Sequence, residues 1–226
     1  MRIAAWVAVT LLVAGCSHTG GGGSRPSPNT TAVSGASPTT NVAPSGGPPA
    51  AAPDAGARIS DVIAWIEAGH PADPARYHSA TRDGATTQLG NDIALTATAG
   101  SVSCMTDTAH TGGALACLVK LTSPPPRPET AYGEWKGGWV DFDGTSVEVG
   151  SVRGDPGRFT AGTGPELPYG RALGFGDYQC RVDTVGLYCA DRAHDTAVRF
   201  SDAGIEPFGC LQPATAPPQI GERFSC

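Results

Sequence analysis

Six of the chain's seven cysteines lie in residues 58–226, and four of the six fall into a repeated pattern. Cys104-Met105-Thr106-Asp107-Thr108 is followed by Leu115-Ala116-Cys117, and Cys180-Arg181-Val182-Asp183-Thr184 by Leu187-Tyr188-Cys189. Both read as Cys-x-x-Asp-Thr, a glycine-bearing turn, then Leu-x-Cys. Directly opposed residues on paired strands come close enough for a disulfide. The pattern therefore predicts two hairpins, bridged by Cys104–Cys117 and Cys180–Cys189, with the aspartate bonding turn amides. Cys210 and Cys226 then close the C-terminal tail, although six cysteines leave other connectivities open. Each closed loop would stabilise the fold by roughly 2–4 kcal/mol. The repetition also suggests a duplicated domain. No Cys-x-x-Cys occurs, so the cysteines read as staples rather than metal ligands, and neither a metal nor a cofactor is expected.

The remaining signals around these hairpins belong to strands and turns. Tyr77–Thr81 and Thr86–Leu89 flank Arg82-Asp83-Gly84, and Ile93–Thr98 alternates apolar with polar residues. Trp139–Phe142 and Ser146–Val149 flank Asp143-Gly144, a strong hairpin cue. Ala197–Ser201 reads as the last strand. One amphipathic helix precedes them, with Ser60 as its cap, an apolar stripe of Val62, Ile63, Trp65 and Ile66, and a stop at Gly69 and Pro71. The expected fold is mainly β, an antiparallel sandwich or barrel with one N-terminal helix. Pro124–Pro128 reads as the connection between two sheets rather than a domain boundary.

The N-terminal segment assigns a compartment. Met1-Arg2 precedes an apolar run, Ile3–Ala14, which is shorter than the ~20 residues a membrane-crossing helix needs. It fits the core of a secretory signal peptide over residues 1–15. The run ends Leu12-Val13-Ala14-Gly15-Cys16, which resembles a bacterial lipobox. That resemblance implies cleavage before Cys16, acylation of its thiol and a membrane anchor. Residues 16–57 follow; of the 41 after Cys16, 34 are Gly, Pro, Ser, Thr or Ala. Such a composition cannot bury enough apolar surface to fold, so this segment reads as a disordered tether. Residues 58–226 are then one disulfide-stapled β-rich domain.

Little in the domain speaks for chemistry. His-Glu-x-x-His, Gly-x-Ser-x-Gly and phosphate-cradling glycine motifs are absent, and His70, His78, His110 and His194 read as surface or turn residues. A net charge of −6 speaks against nucleic acid. The densest stretch is Tyr132-Gly133-Glu134-Trp135-Lys136-Gly137-Gly138-Trp139-Val140-Asp141-Phe142-Asp143. Tyr132, Trp135 and Trp139 could form a sugar-stacking surface, and Glu134 with Asp141 or Asp143 could act as an acid/base pair. The plainer reading sends Val140 and Phe142 to the core and leaves Asp141 to solvent, Asp143 to the turn. No catalytic residue is assigned.

Val62–Gly69, Trp135–Gly144 and Gly204–Cys210, together with the lipobox and the low-lysine, arginine-rich composition, resemble mycobacterial and related actinobacterial lipoproteins of the LppI type. The resemblance implies a lipid-anchored protein on the outer face of the cell membrane and carries over no functional residue except Cys16. Sequence and resemblance together lead to the expectation of a non-enzymatic binding or scaffolding domain, with cell-wall glycan or envelope proteins as partners. A glycan hydrolase and a carrier of an apolar ligand are the rivals.

Overall fold

The computed structural model describes residues 51–153 and 156–226. The expected signal peptide, Cys16 and the expected tether up to residue 50 lie outside the described residues.

Helix α1 (Ile59–Glu67) opens the fold. Its N-cap is Arg58 rather than Ser60, no side chain caps the first turn, and Asp61 there pairs with Arg58 at 3.0 Å. The strands follow in chain order: β1 (His70–Pro71), β2 (Ser79–Arg82), β3 (Ala85–Gln88), β4 (Ala94–Ala97), β5 (Val102–Met105), β6 (Leu115–Val119), β7 (Trp135–Phe142) and β8 (Ser146–Val152). Then come β9 (Arg171–Phe175), β10 (Tyr178–Asp183), β11 (Gly186–Asp191), β12 (Thr196–Ser201), β13 (Gly204–Phe208), β14 (Gln212–Ala214) and β15 (Ile220–Ser225). A four-residue helix, α2 (Thr108–Thr111), lies between β5 and β6, and a 3-10 turn, Gly157–Ala161, lies between β8 and β9.

Two sheets form a sandwich and neither closes into a barrel. The seven-stranded sheet has the order β14-β15-β8-β7-β6-β5-β4, the six-stranded sheet β1-β9-β10-β11-β12-β13, and β2-β3 pair separately. Within the sheets β4 to β8 and β9 to β13 are consecutive antiparallel meanders of five strands each. The two ends of the described fold are interleaved. Early β1 pairs in parallel with β9, and C-terminal β15 pairs with β8. Two expectations are corrected here. Ala197–Ser201 is not the last strand, because β13, β14 and β15 follow. The proline run does not join two sheets; it links β6 to β7 within one, and the chain changes sheet between β1 and β4, after β8 and after β13.

The repeat seen in the cysteines extends to whole rows of the core. Leu95, Cys104, Cys117, Val140 and Val149 are register partners in succession across β4 to β8. Leu173, Cys180, Cys189, Val198 and Pro207 form the same row across β9 to β13. The next row repeats as Leu115, Phe142, Val147 against Leu187, Phe200, Ile205. Side chains alternate across a strand, so each meander turns this set toward the other and buries it. Both cysteine pairs are fully buried in that shared core as the disulfides Cys104–Cys117 and Cys180–Cys189. The third, Cys210–Cys226, pins the end of β15 to the segment before β14.

On the other face of the six-stranded sheet, α1 lays Val62, Trp65 and Ile66 on Tyr188, Ala190, Ala197 and Phe208. Trp65 is 5% exposed, a core anchor as expected. Arg181 covers its ring at 3.9 Å, a cation–π contact. Residues 51–57, expected within the tether, dock here too: Ala52 and Ala57 pack against this cluster, and Tyr188 Oη donates to the Pro53 carbonyl at 2.8 Å.

Candidate functional site

The dense aromatic and acidic stretch of the sequence forms β7 and the turn after it. Val140 and Phe142 face the core, which places Trp139 and Asp141 on the outer face of the seven-stranded sheet. Trp139 pairs in register with Leu118, and Leu118 with Ser103, so a Ser103–Leu118–Trp139 row crosses three strands on that face. The register between β7 and β8 shifts between Lys136 and Val140, and Gly137 and Gly138 fill the irregularity. A Cβ on Gly138 would fall 2.0 Å from the Val119 carbonyl oxygen, so the close approach of β6 requires glycine there.

Trp139 is 4% exposed and acts as a wall. Phe159 of the 3-10 turn meets it edge to face at 5.2 Å, and the Arg153 guanidinium lies 4.6 Å over its ring. Its Nε1 donates to Asp141 Oδ2 at 2.8 Å, and Arg153 donates to the same oxygen at 2.8 Å. Asp141 is thus occupied by two donors, one of them charged.

On one side of Trp139 opens a polar cleft of about 560 Å³ lined by Asp107, Thr111, Asp141, Asp143, Arg153 and Arg158. Arg158 donates to the carbonyls of Met105 at 3.1 Å and Ala114 at 2.7 Å and to Thr111 Oγ1 at 3.2 Å. Burial pulls its pKa below the usual guanidinium range, against the opposing attraction of Asp141 and Asp107. Asp107 caps α2, accepting from the His110 amide at 3.2 Å and lying 2.9 Å from its imidazole Nδ1. Partial burial raises the Asp107 pKa, but the bonds and charge of His110 outweigh it and leave the carboxyl below its ordinary value.

Asp143 is the other depressed carboxyl. Burial raises its pKa, yet the amides of Thr145 at 2.8 Å and Ser146 at 2.7 Å, with both hydroxyls, more than reverse that. A carboxyl whose pKa falls on folding contributes stability above its unfolded pKa of about 4, and loses it as the pH drops through the folded value. Asp143→Asn should therefore cost about 0.5–1 kcal/mol at pH 7, the figure being small because the side chain is solvent-screened. Urea denaturation at pH 7 and pH 3 checks this: the gap between variant and parent should close at the lower pH, and a gap constant with pH would contradict it.

On the other side of Trp139 lies an open groove, also of about 560 Å³, whose lining includes Ser103, Leu118, Lys120, Trp135, Lys136 and Gly138. Trp135 is half-buried. Its benzo edge rests on Gly150, where a Cβ would come within 2.6 Å of Cζ2. The proline run packs beside it, with Pro124 over Gly137 and Pro125 over Gly150 and Gly221.

Trp135 and Trp139 are therefore brought to one groove, but Tyr132, 81% exposed, lines neither cleft. Asp141 and Asp143 share the polar cleft, whereas Glu134 lines neither and is bonded to Lys136. Sequence reasoning placed Asp107 at its turn, where it does bond an amide, but not in the cleft, and it missed Arg153 and Arg158, which follow β8. It also missed Ser103 and Lys120. The signal for Ser103 was present: once Cys104 and Cys117 oppose each other, Ser103 and Leu118 must oppose each other on the reverse face.

Among the described residues no group of three His, Cys, Asp or Glu is arranged to hold a metal, and no helix is long and apolar enough to cross a membrane. No family model, curated protein or solved structure matches the chain.

Proposed function

We propose that this chain is a lipid-anchored envelope protein whose folded domain is a non-catalytic binding module, and that it binds through the outer face of the seven-stranded sheet. The observation that carries the reading is Trp139 standing between a charged cleft and an apolar groove on one sheet face. Shallow paired subsites of different polarity suit the recognition of a ligand that is itself part polar and part apolar. The lipobox ending at Cys16 supports the anchor, and three disulfides are compatible with an oxidising compartment.

The rivals have less support. Glycoside cleavage needs a carboxyl kept protonated as the acid; Asp143 is shifted the other way and Glu134 lies outside the polar cleft. An apolar carrier needs room between the sheets, where Leu95, Phe142, Leu173, Leu187 and Phe200 are all fully buried against one another's layer.

The test uses the full chain in its membrane and in detergent extract. Cys16→Ser should move the protein from the membrane pellet to the soluble fraction. The extracted parent protein should be retained on purified cell-wall material without releasing reducing sugar ends, and Trp135→Ala should lower that retention about tenfold. Retention unchanged by Trp135→Ala, or steady release of reducing ends, would sink the reading.

A further inference from the structure

We infer that the groove beside Trp135 is a subsite for an acidic sugar, a pyranose ring bearing a carboxylate that stacks on Trp135 and pairs with Lys120 and Lys136. The inference rests on the binding function proposed above and names the ligand class for one half of its surface.

Charge carries the first part of the argument. The chain has a net charge of −6 and only two lysines, Lys120 and Lys136, and both line this one groove. Much of the arginine charge is already committed: Arg58 to Asp61, Arg153 to Asp141, Arg223 to Glu148, and Arg158 to backbone carbonyls. Lys120 is exposed and forms no ion pair among the described residues. Lys136 shares Glu134, but that pair is solvent-exposed, and an ammonium has donors left for a second carboxylate. With no acid in its own lining and Lys120 unpaired among the described residues, the groove has a locally cationic rim on an acidic protein, which favours an anion even with Glu134 beside Lys136.

Shape and polarity carry the second part. Trp135 is held stiffly across Gly150, and Gly137 and Gly138 add no side chains, so the lining is broad, open and flat beside an indole. A sugar ring presents a flat C–H face of matching shape. An acyl chain would instead call for an enclosed apolar channel, which an open groove does not supply. Ser103 completes the match. It lies in the groove lining at 8% exposure, and its Oγ is buried with no hydrogen-bond partner. Buried hydroxyls in native folds nearly always have a partner. A χ1 rotation would turn this hydroxyl into the groove it lines, where a sugar hydroxyl, both donor and acceptor, can partner it and a hydrocarbon cannot.

The full chain in detergent extract, titrated by calorimetry with oligogalacturonate and with its neutral methyl ester, tests this. The two probes share their rings and differ in charge. The acid should bind at least tenfold more tightly than the ester, and its affinity should fall as salt rises from about 20 to 200 mM. Lys120→Gln with Lys136→Gln should abolish the tenfold preference, bringing acid binding down to the level of the ester. These exposed positions keep the test valid should Trp135→Ala disturb the sheet.

Equal binding of acid and ester would overturn the acidic-sugar assignment while leaving the binding function standing. Lysine-dependent capture by phosphatidylglycerol–phosphatidylcholine vesicles, without a sugar response, would overturn it in favour of a lipid headgroup. Failure of both sugars with retention on wall material intact would place the ligand elsewhere on the sheet, and loss of that retention too would remove the proposed function itself.

Discussion

Reduction with excess dithiothreitol is expected to lower the melting temperature by roughly 20–35 °C. The three bridges span sequence separations of 13, 9 and 16 residues. In the chain-entropy picture, loops of this size each restrict the unfolded chain by about 3 kcal/mol. Together that is about 9 kcal/mol, comparable to the whole stability of an ordinary domain, and each kcal/mol moves the midpoint by about 2–4 °C at this size. Two of the bridges are fully buried, so reduction should lag until the domain opens, and incubation near the midpoint is part of the experiment. Circular dichroism melts with and without reductant measure the shift. A change below about 5 °C would show that the sandwich stands without its staples. The paired substitution Cys104→Ala with Cys117→Ala should account for about a third of the effect, as should Cys180→Ala with Cys189→Ala.

Phe142→Ala is expected to cost about 3–5 kcal/mol, at the top of the range for a core truncation. Phe142 is fully buried and meets Tyr178 of the other sheet at a ring distance of 5.6 Å. Its carbonyl also accepts from Tyr178 Oη at 2.9 Å, so the same residue joins the sheets by packing and by hydrogen bond. Removing the ring leaves a cavity between two layers that are both braced by disulfides and cannot easily collapse into it. Phe200 occupies the equivalent register position in the other meander, so Phe200→Ala should fall in the same range. Urea denaturation with an unchanged slope checks both, with Val185→Ala, at a half-exposed turn, as a control near zero. A cost under about 1.5 kcal/mol for Phe142→Ala would mean that the sheets do not bear on each other at that row.

The hairpins and their bridges were legible because two opposed cysteines fix a register, and register fixes which face every neighbour takes. Val140 and Phe142 were assigned to the core by the two-residue alternation of a strand, and Asp143 to its turn. The strands that escaped notice share a cause. Pro71 in β1, Pro207 in β13 and Pro213 in β14 each sit in a strand at the edge of a sheet. There an amide can be spared, so the residue that argues against a strand is tolerated. Gly174 and Gly221 likewise interrupt the alternation of β9 and β15. The site was harder to read than the fold. Trp135 and Trp139 were singled out, but nothing local says that one would be a platform and the other a wall. That difference comes from Phe159 and Arg153, which reach Trp139 through the connection after β8. A tertiary approach of this kind has no period in the sequence.

The docking of residues 51–57 beside Tyr188 fixes where the start of the described fold meets the sandwich. That segment leaves the body on the α1 side of the six-stranded sheet, while both clefts open on the far side of the seven-stranded one. A load applied between residues 51–57 and the outer face of the seven-stranded sheet crosses both layers, so it bears on the inter-sheet core and its two buried bridges rather than peeling a strand from an edge.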